Sequence, residues 1–98
     1  MDLEVAILSA RDGDSAGLVK AMREGGGCDA LLACPGCISA KVMPGVEQPG
    51  NVLFLVEWES VEAHNAAKET EHFARFKEIA GPFFGGPGGG TMQHFKAG

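Results

Sequence analysis

Two periodicities alternate along the chain. Leu3 to Ala10 runs roughly apolar every second residue, with Leu3, Val5 and Ile7 on one face and Ala6 and Leu8 on the other, which predicts a first strand. Arg11-Asp-Gly-Asp14 is a turn, and Asp14 or Ser15 is placed to cap a helix carrying Leu18, Val19 and Met22. Gly25-Gly-Gly27 should interrupt that helix, since each glycine costs about 1 kcal/mol against alanine. Asp29 then caps a shorter apolar turn, Ala30 to Ala33, which Pro35-Gly36 ends. Cys37 to Met43 alternates as a second strand. Pro44-Gly45 and Pro49-Gly50 bracket a polar loop, so this strand forms a hairpin with the next. That third strand, Asn51-Val-Leu-Phe-Leu-Val-Glu-Trp-Glu59, runs straight into Ser60, a helix N-cap. Apolar residues at Val61, Ala63, Ala66, Ala67, Phe73, Phe76, Ile79 and Ala80 predict one long helix, stopped by Gly81-Pro82. A Gly/Pro-rich stretch leads to a short fourth strand, Thr91 to Lys96.

The order β-α-β-β-α-β predicts an α+β, ferredoxin-like domain spanning residues 1–98, with two helices over one face of a four-stranded antiparallel sheet. The third strand is apolar on both faces: Val52, Phe54, Val56 and Trp58 on one, Leu53 and Leu55 on the other. The helices cover one of these. So short a chain has little left for the other, and a homodimer paired through the sheet face is the expected remedy.

Charge narrows the function classes. A net charge of −5 argues against nucleic acid and against an anionic membrane surface. No apolar run reaches membrane-spanning length, and Met1-Asp-Leu-Glu4 is acidic where a signal peptide is basic. Three cysteines, an odd number, suit a reducing compartment. The expectation is a soluble cytoplasmic protein.

Few residue patterns carry chemistry. Cys34-Pro-Gly-Cys37 has redox spacing, but it follows a helical turn and precedes a strand, whereas an activated thiol sits at a helix N-terminus. A Pro-Gly turn between two small thiols is the simpler reading. A metal site would need a fourth ligand beyond Cys28, Cys34 and Cys37; one of the histidines could supply it, but no spacing supports that. The Gly85 to Gly90 run lacks both P-loop and dinucleotide register, and reads as a flexible connector or lid. His64 follows Trp58 closely enough to line a cavity where strand meets helix; His72 reads as a solvated flank residue, and His94 as facing either way. The chain has no tyrosine.

Trp58-Glu-Ser60, Glu62-Ala-His64 and His72-Phe-Ala-Arg-Phe76, preceded by an apolar strand, resemble the antibiotic biosynthesis monooxygenase (ABM) family, as does Pro35-Gly36-Cys37 ahead of the second strand. The resemblance covers nearly the whole chain and implies a dimeric α+β barrel, in which two ferredoxin-like sheets face each other. Some members of the family oxidise aromatic polyketides or quinols with O₂ and no cofactor. Others degrade haem, but the Asn, helical Trp and late-helix His of that branch have no counterparts here. Trp58 matches the family's Trp, while the phenolic proton donor of some active members is missing.

A cofactor-free oxygenase needs a dry pocket that binds an aromatic ring and favours its deprotonated form. Trp58, Phe54 and Phe84 are the candidate walls for such a small aromatic molecule, and His64 is the candidate catalytic base. Trp58 serves equally well as plain core. Three functions therefore stand: a monooxygenase acting without cofactor on a quinol or polyketide-like ring, a non-catalytic dimeric ligand-binding or stress-related domain of the same fold, and a thiol redox protein using Cys34 and Cys37.

Overall fold

The computed structural model describes residues 1–98. Its sheet is assembled on the first strand, β1 (Asp2–Ser9), which lies between β3 (Asn51–Trp58) and β4 (Gly90–Lys96); β2 (Cys37–Pro44) completes the order β2-β3-β1-β4. Every neighbouring pair is antiparallel. With the helices between β1 and β2 and between β3 and β4, this is the ferredoxin-like arrangement anticipated above.

Register decides what each face carries. Ala6 pairs with Phe54 on one side and Met92 on the other, so these point the same way, as do Glu4, Val56 and His94. That face is covered by helices: Val52, Phe54, Val56 and Trp58 are each no more than 2% exposed. The opposite, outer face carries Leu3, Val5, Ile7, Leu53, Leu55, Met43 and Phe95, of which Ile7, Met43 and Phe95 are among the exposed large apolar side chains.

The helices follow their caps. Asp14 accepts from the Gly17 amide at 2.9 Å to start α1 (Ser15–Arg23), which buries Leu18, Val19 and Met22 against the sheet. The glycine triplet breaks the helix as anticipated, but Asp29 does not cap the next one. α2 (Gly27–Ala33) starts from Gly26, held at φ 94, and Asp29 lies within its first turn. Gly26 wins the cap because a left-handed residue turns the chain back without a steric penalty.

The long helix is in fact two, α3 (Val61–Ala67) and α4 (Glu71–Ala80). Thr70 makes the break. It is extended, accepts from the Phe73 amide at 3.3 Å and donates its hydroxyl to the Ala67 carbonyl at 2.7 Å. One side chain thus satisfies both helix ends. The apolar spacing passes through the break undisturbed, which is why periodicity alone reads one helix.

The glycine-rich run is not free. Gly86 donates to Ser9 O at 3.0 Å, Ser9 donates to Gly89 O at 2.8 Å, and Gly88 meets the Ser9 hydroxyl at 3.3 Å. The segment lies stitched along the end of β1, where a Cβ on Gly86 would clash with the Ala10 carbonyl.

Candidate active site

The polar groups of the covered face gather where β1, β3, α3 and β4 meet. Two carboxylates from β1 organise them. Asp2 Oδ2 accepts from the Val61 amide at 2.9 Å while Ser60 Oγ accepts from Ala63 N at 3.1 Å, so the start of α3 is pinned from two sides. Pinning α3 fixes where His64, one turn later, must point. Its ring lies flat on Trp58, with centroids 4.7 Å apart and planes 10° from parallel.

Glu4 ties the stack together. Its Oε1 accepts from Trp58 Nε1 at 3.0 Å and faces His64 Nε2 at 3.4 Å. On the other side of the ring, His64 Nδ1 and His94 Nε2 are 2.8 Å apart. Trp58 is fully covered and His64 only 3% exposed; His94, on the edge strand β4, is half-buried.

Burial sets the protonation states. It lowers the His64 pKa to about 4, with Lys68, and His94 when it is protonated, adding to the effect. At neutral pH the imidazole is therefore uncharged, not the half-protonated group that an ordinary histidine would be. Burial also pushes the Glu4 carboxyl up, opposed by the Trp58 hydrogen bond, by His94 when it is protonated and by Lys68.

The candidate residues fall into two linked groups. Trp58 and His64 are in contact. Phe54 and Phe84 are in edge contact with each other at 6.3 Å, and the two groups are joined through Phe73 and Phe76. Phe73 lies 6.5 Å from His64 and 5.2 Å from Phe76, which lies 6.3 Å from Phe54. The spine is closed in the isolated chain, and clefts of about 350 Å³ lie elsewhere, one of them on the outer face between Ile7, Leu53 and Asn51. His72, half-buried on α4, is not among the partners of the cluster.

Sequence reasoning did not single out Glu4, and it left His94 undecided. Glu4 shares the parity of Ala6 and Leu8, so an acid on the covered face was there to be found, and a buried indole N–H needs an acceptor. His94 depends on the register of β4, which no local pattern specifies.

The thiols make a poor redox centre. Cys34 caps the C-terminal end of α2 and its Sγ contacts the Ala30 carbonyl at 3.6 Å and Thr70 Oγ1 at 3.8 Å. Cys37 is pushed up to about 11, chiefly by burial, with Cys34 and Glu4 contributing. Neither has the helix N-terminus that activates a thiol. No group of three His, Cys, Asp or Glu side chains converges in a metal-binding geometry.

The sequence profile described as antibiotic biosynthesis monooxygenase matches residues 4–79, from Glu4 through both helices that follow Trp58. The chain belongs to the ABM family. Solved ABM structures share its fold. The "Putative antibiotic biosynthesis monooxygenase" of Bordetella bronchiseptica superposes with a TM-score of 0.84 at 18% identity, over 97% of this chain and 94% of that one. A second antibiotic biosynthesis monooxygenase gives 0.74 at 21% identity over 99% and 98%. A conserved protein of unknown function from Bacteroides thetaiotaomicron gives 0.66 at 18% over 96% and 93%. Identities this low speak for the ABM fold alone. No curated protein matches the chain. No helix is long and apolar enough to cross a membrane.

Proposed function

We propose that this ABM chain is a cofactor-independent monooxygenase that oxidises a small phenolic or quinol-like ring with O₂. The observation that carries the reading is the neutral, desolvated His64 stacked on Trp58 and hydrogen-bonded towards the edge of the sheet. Such a ring needs only to lose its phenolic proton in a dry setting. The electron-rich phenolate then passes one electron to O₂, and superoxide recombines with the aryloxyl radical at a ring C–H carbon. Loss of that hydrogen as a proton, with cleavage of the O–O bond, leaves a quinone. In sum, one phenol and one O₂ give one quinone and one water. His64 is the polar group on which proton handling centres, and Trp58, Phe54 and Phe84 are the apolar lining. The ring enters by parting the aromatic spine, because Trp58 and Phe54 are closed over in the free chain.

Two copies pair through the outer sheet face in this reading, covering Ile7, Phe95 and the half-buried leucines. Three unpaired cysteines fit a cytoplasmic setting. The closed spine also favours a second reading, a non-catalytic domain of the same fold that takes up a ligand slowly or not at all.

An oxygen electrode separates the two. Purified protein freed of metal and flavin should consume O₂ in the presence of a panel of hydroquinones and naphthols, and His64→Ala should lower turnover by about 10² or more. A His72→Ala control should stay within a few-fold. A silent wild type across the panel would favour the non-catalytic domain.

A further inference from the structure

The polar cluster is a wired array, and its wiring can be read from the one member whose role is fixed. An indole N–H only donates. Glu4 Oε1 is therefore an acceptor where it meets Trp58 Nε1 at 3.0 Å. The same oxygen faces His64 Nε2 at 3.4 Å, where a ring lone pair would be repelled and an N–H is attracted. This puts the proton of neutral His64 on Nε2 and leaves a lone pair on Nδ1. His94 Nε2, 2.8 Å away, must then be the donor. A neutral His94 with its proton on Nε2 carries its lone pair on Nδ1. That nitrogen has no partner within the protein, yet no buried side-chain polar atom is left unpartnered, so it is open to solvent.

We propose that His94 is the residue that takes the substrate's proton, and that Glu4 and His64 are positioning residues that hold its tautomer with Nδ1 facing outward. This rests on the oxygenase reading and makes it more specific. The proton leaves the substrate hydroxyl for His94 Nδ1. The resulting imidazolium keeps donating from Nε2 to His64 Nδ1, and Glu4, its direct partner across β1 and β4, offsets the new charge. His64 itself is 3% exposed, with His94 on Nδ1 and Glu4 facing Nε2; His94 is half-buried at the edge of the sheet. Beside it on β4 stand Met92, 48% exposed, and Lys96, which pairs with Asp2 at 3.8 Å. The titratable and charged groups around this cluster are Glu4, which interacts with His94, His64, which contacts it, Lys68, which acts on both Glu4 and His64, and the Asp2–Lys96 pair at the ends of β1 and β4.

Nitrogen-15 NMR of the histidine side chains in the intact protein tests the wiring without any turnover. The expected result is Nε2–H for both His64 and His94, with Glu4→Leu releasing His64 to a tautomer mixture while His94→Gln leaves it at Nε2–H. A proton on His64 Nδ1 would overturn the assignment. Anaerobic titration with 1,4-hydroquinone should then move the His94 Nδ1 resonance more than either His64 nitrogen; an unmoved His94 overturns the contact. In the oxygen electrode, His94→Gln keeps a donor towards His64 and the Trp58 fluorescence of the wild type, but should lose about 10² in kcat with KM within a few-fold. Full turnover in that variant would also overturn the proposal. If the wild type oxidises none of the probes, the oxygenase reading falls, and the tautomers and titration still decide the wiring.

Discussion

Replacing His64 by Gln should make the protein more tolerant of acid. Burial drops the His64 pKa from 6.5 to about 4, so between those values the unfolded chain binds a proton that the folded chain refuses. Stability therefore rises with pH across this window and is lost as pH falls through it. The full effect is about 3 kcal/mol, of which roughly 2 kcal/mol falls between pH 7 and pH 4.5. Glu4 works in the opposite direction, since its raised pKa means the fold holds a proton that the unfolded chain has released, costing stability as pH climbs above 4.5. The wild-type pH profile mixes both, and the difference between wild type and His64→Gln isolates the histidine. Urea unfolding at pH 7 and pH 4.5, followed by the fluorescence of the single tryptophan, measures it directly. The wild type should lose roughly 2 kcal/mol more than the variant over that interval. Equal losses would refute the claim that His64 is buried neutral.

Three further outcomes follow from the packing. Sedimentation at micromolar concentration should give about twice the 10.2 kDa chain mass, and Leu55→Lys, which puts a charge in the middle of the outer face, should yield monomer or unfolded chain; a wild type that stays monomeric would remove the pairing. Cys34→Ala with Cys37→Ser should leave O₂-dependent turnover within a few-fold, and Cys37 should react slowly with iodoacetamide at neutral pH because its thiol is pushed up to about 11; rapid alkylation would return the thiols to consideration. Gly86→Ala should destabilise by about 1–3 kcal/mol in thermal unfolding, because its Cβ meets the backbone carbonyl of Ala10; an unchanged melting temperature would show that the run is not held there.

The strands and the covered face were legible because alternation is local: Val52, Phe54, Val56 and Trp58 announce their face without help from the rest of the chain. Thr70 was not, since a helix break that keeps the apolar stripe in phase leaves no trace in periodicity. The Trp58–His64 contact could be anticipated from their closeness across a capped strand–helix junction. The face of Glu4 follows from its parity, but its partners and the His94 contribution could not be fixed in the same way. They depend on the registers of β1 with β3 and of β1 with β4, pairings set by the whole sheet and by burial that no window of residues contains. The same holds for the His64 pKa, which is a property of what covers the ring.

The placement of β1 at the centre of the sheet has a kinetic consequence. Asp2 pairs with Lys96 and Leu8 with Gly90, so β1 finds this neighbour only when a strand far along the chain appears. Nearly the whole chain must be looped to close that ladder, which places folding towards the slow end for small mixed domains. Until then one edge of β1 is an open template for other chains. The cluster of Glu4, Trp58, His64 and His94 draws on strands far apart in sequence, so any activity it carries should emerge only once β4 has docked, and a chain lacking β4 should be both inert and prone to aggregate.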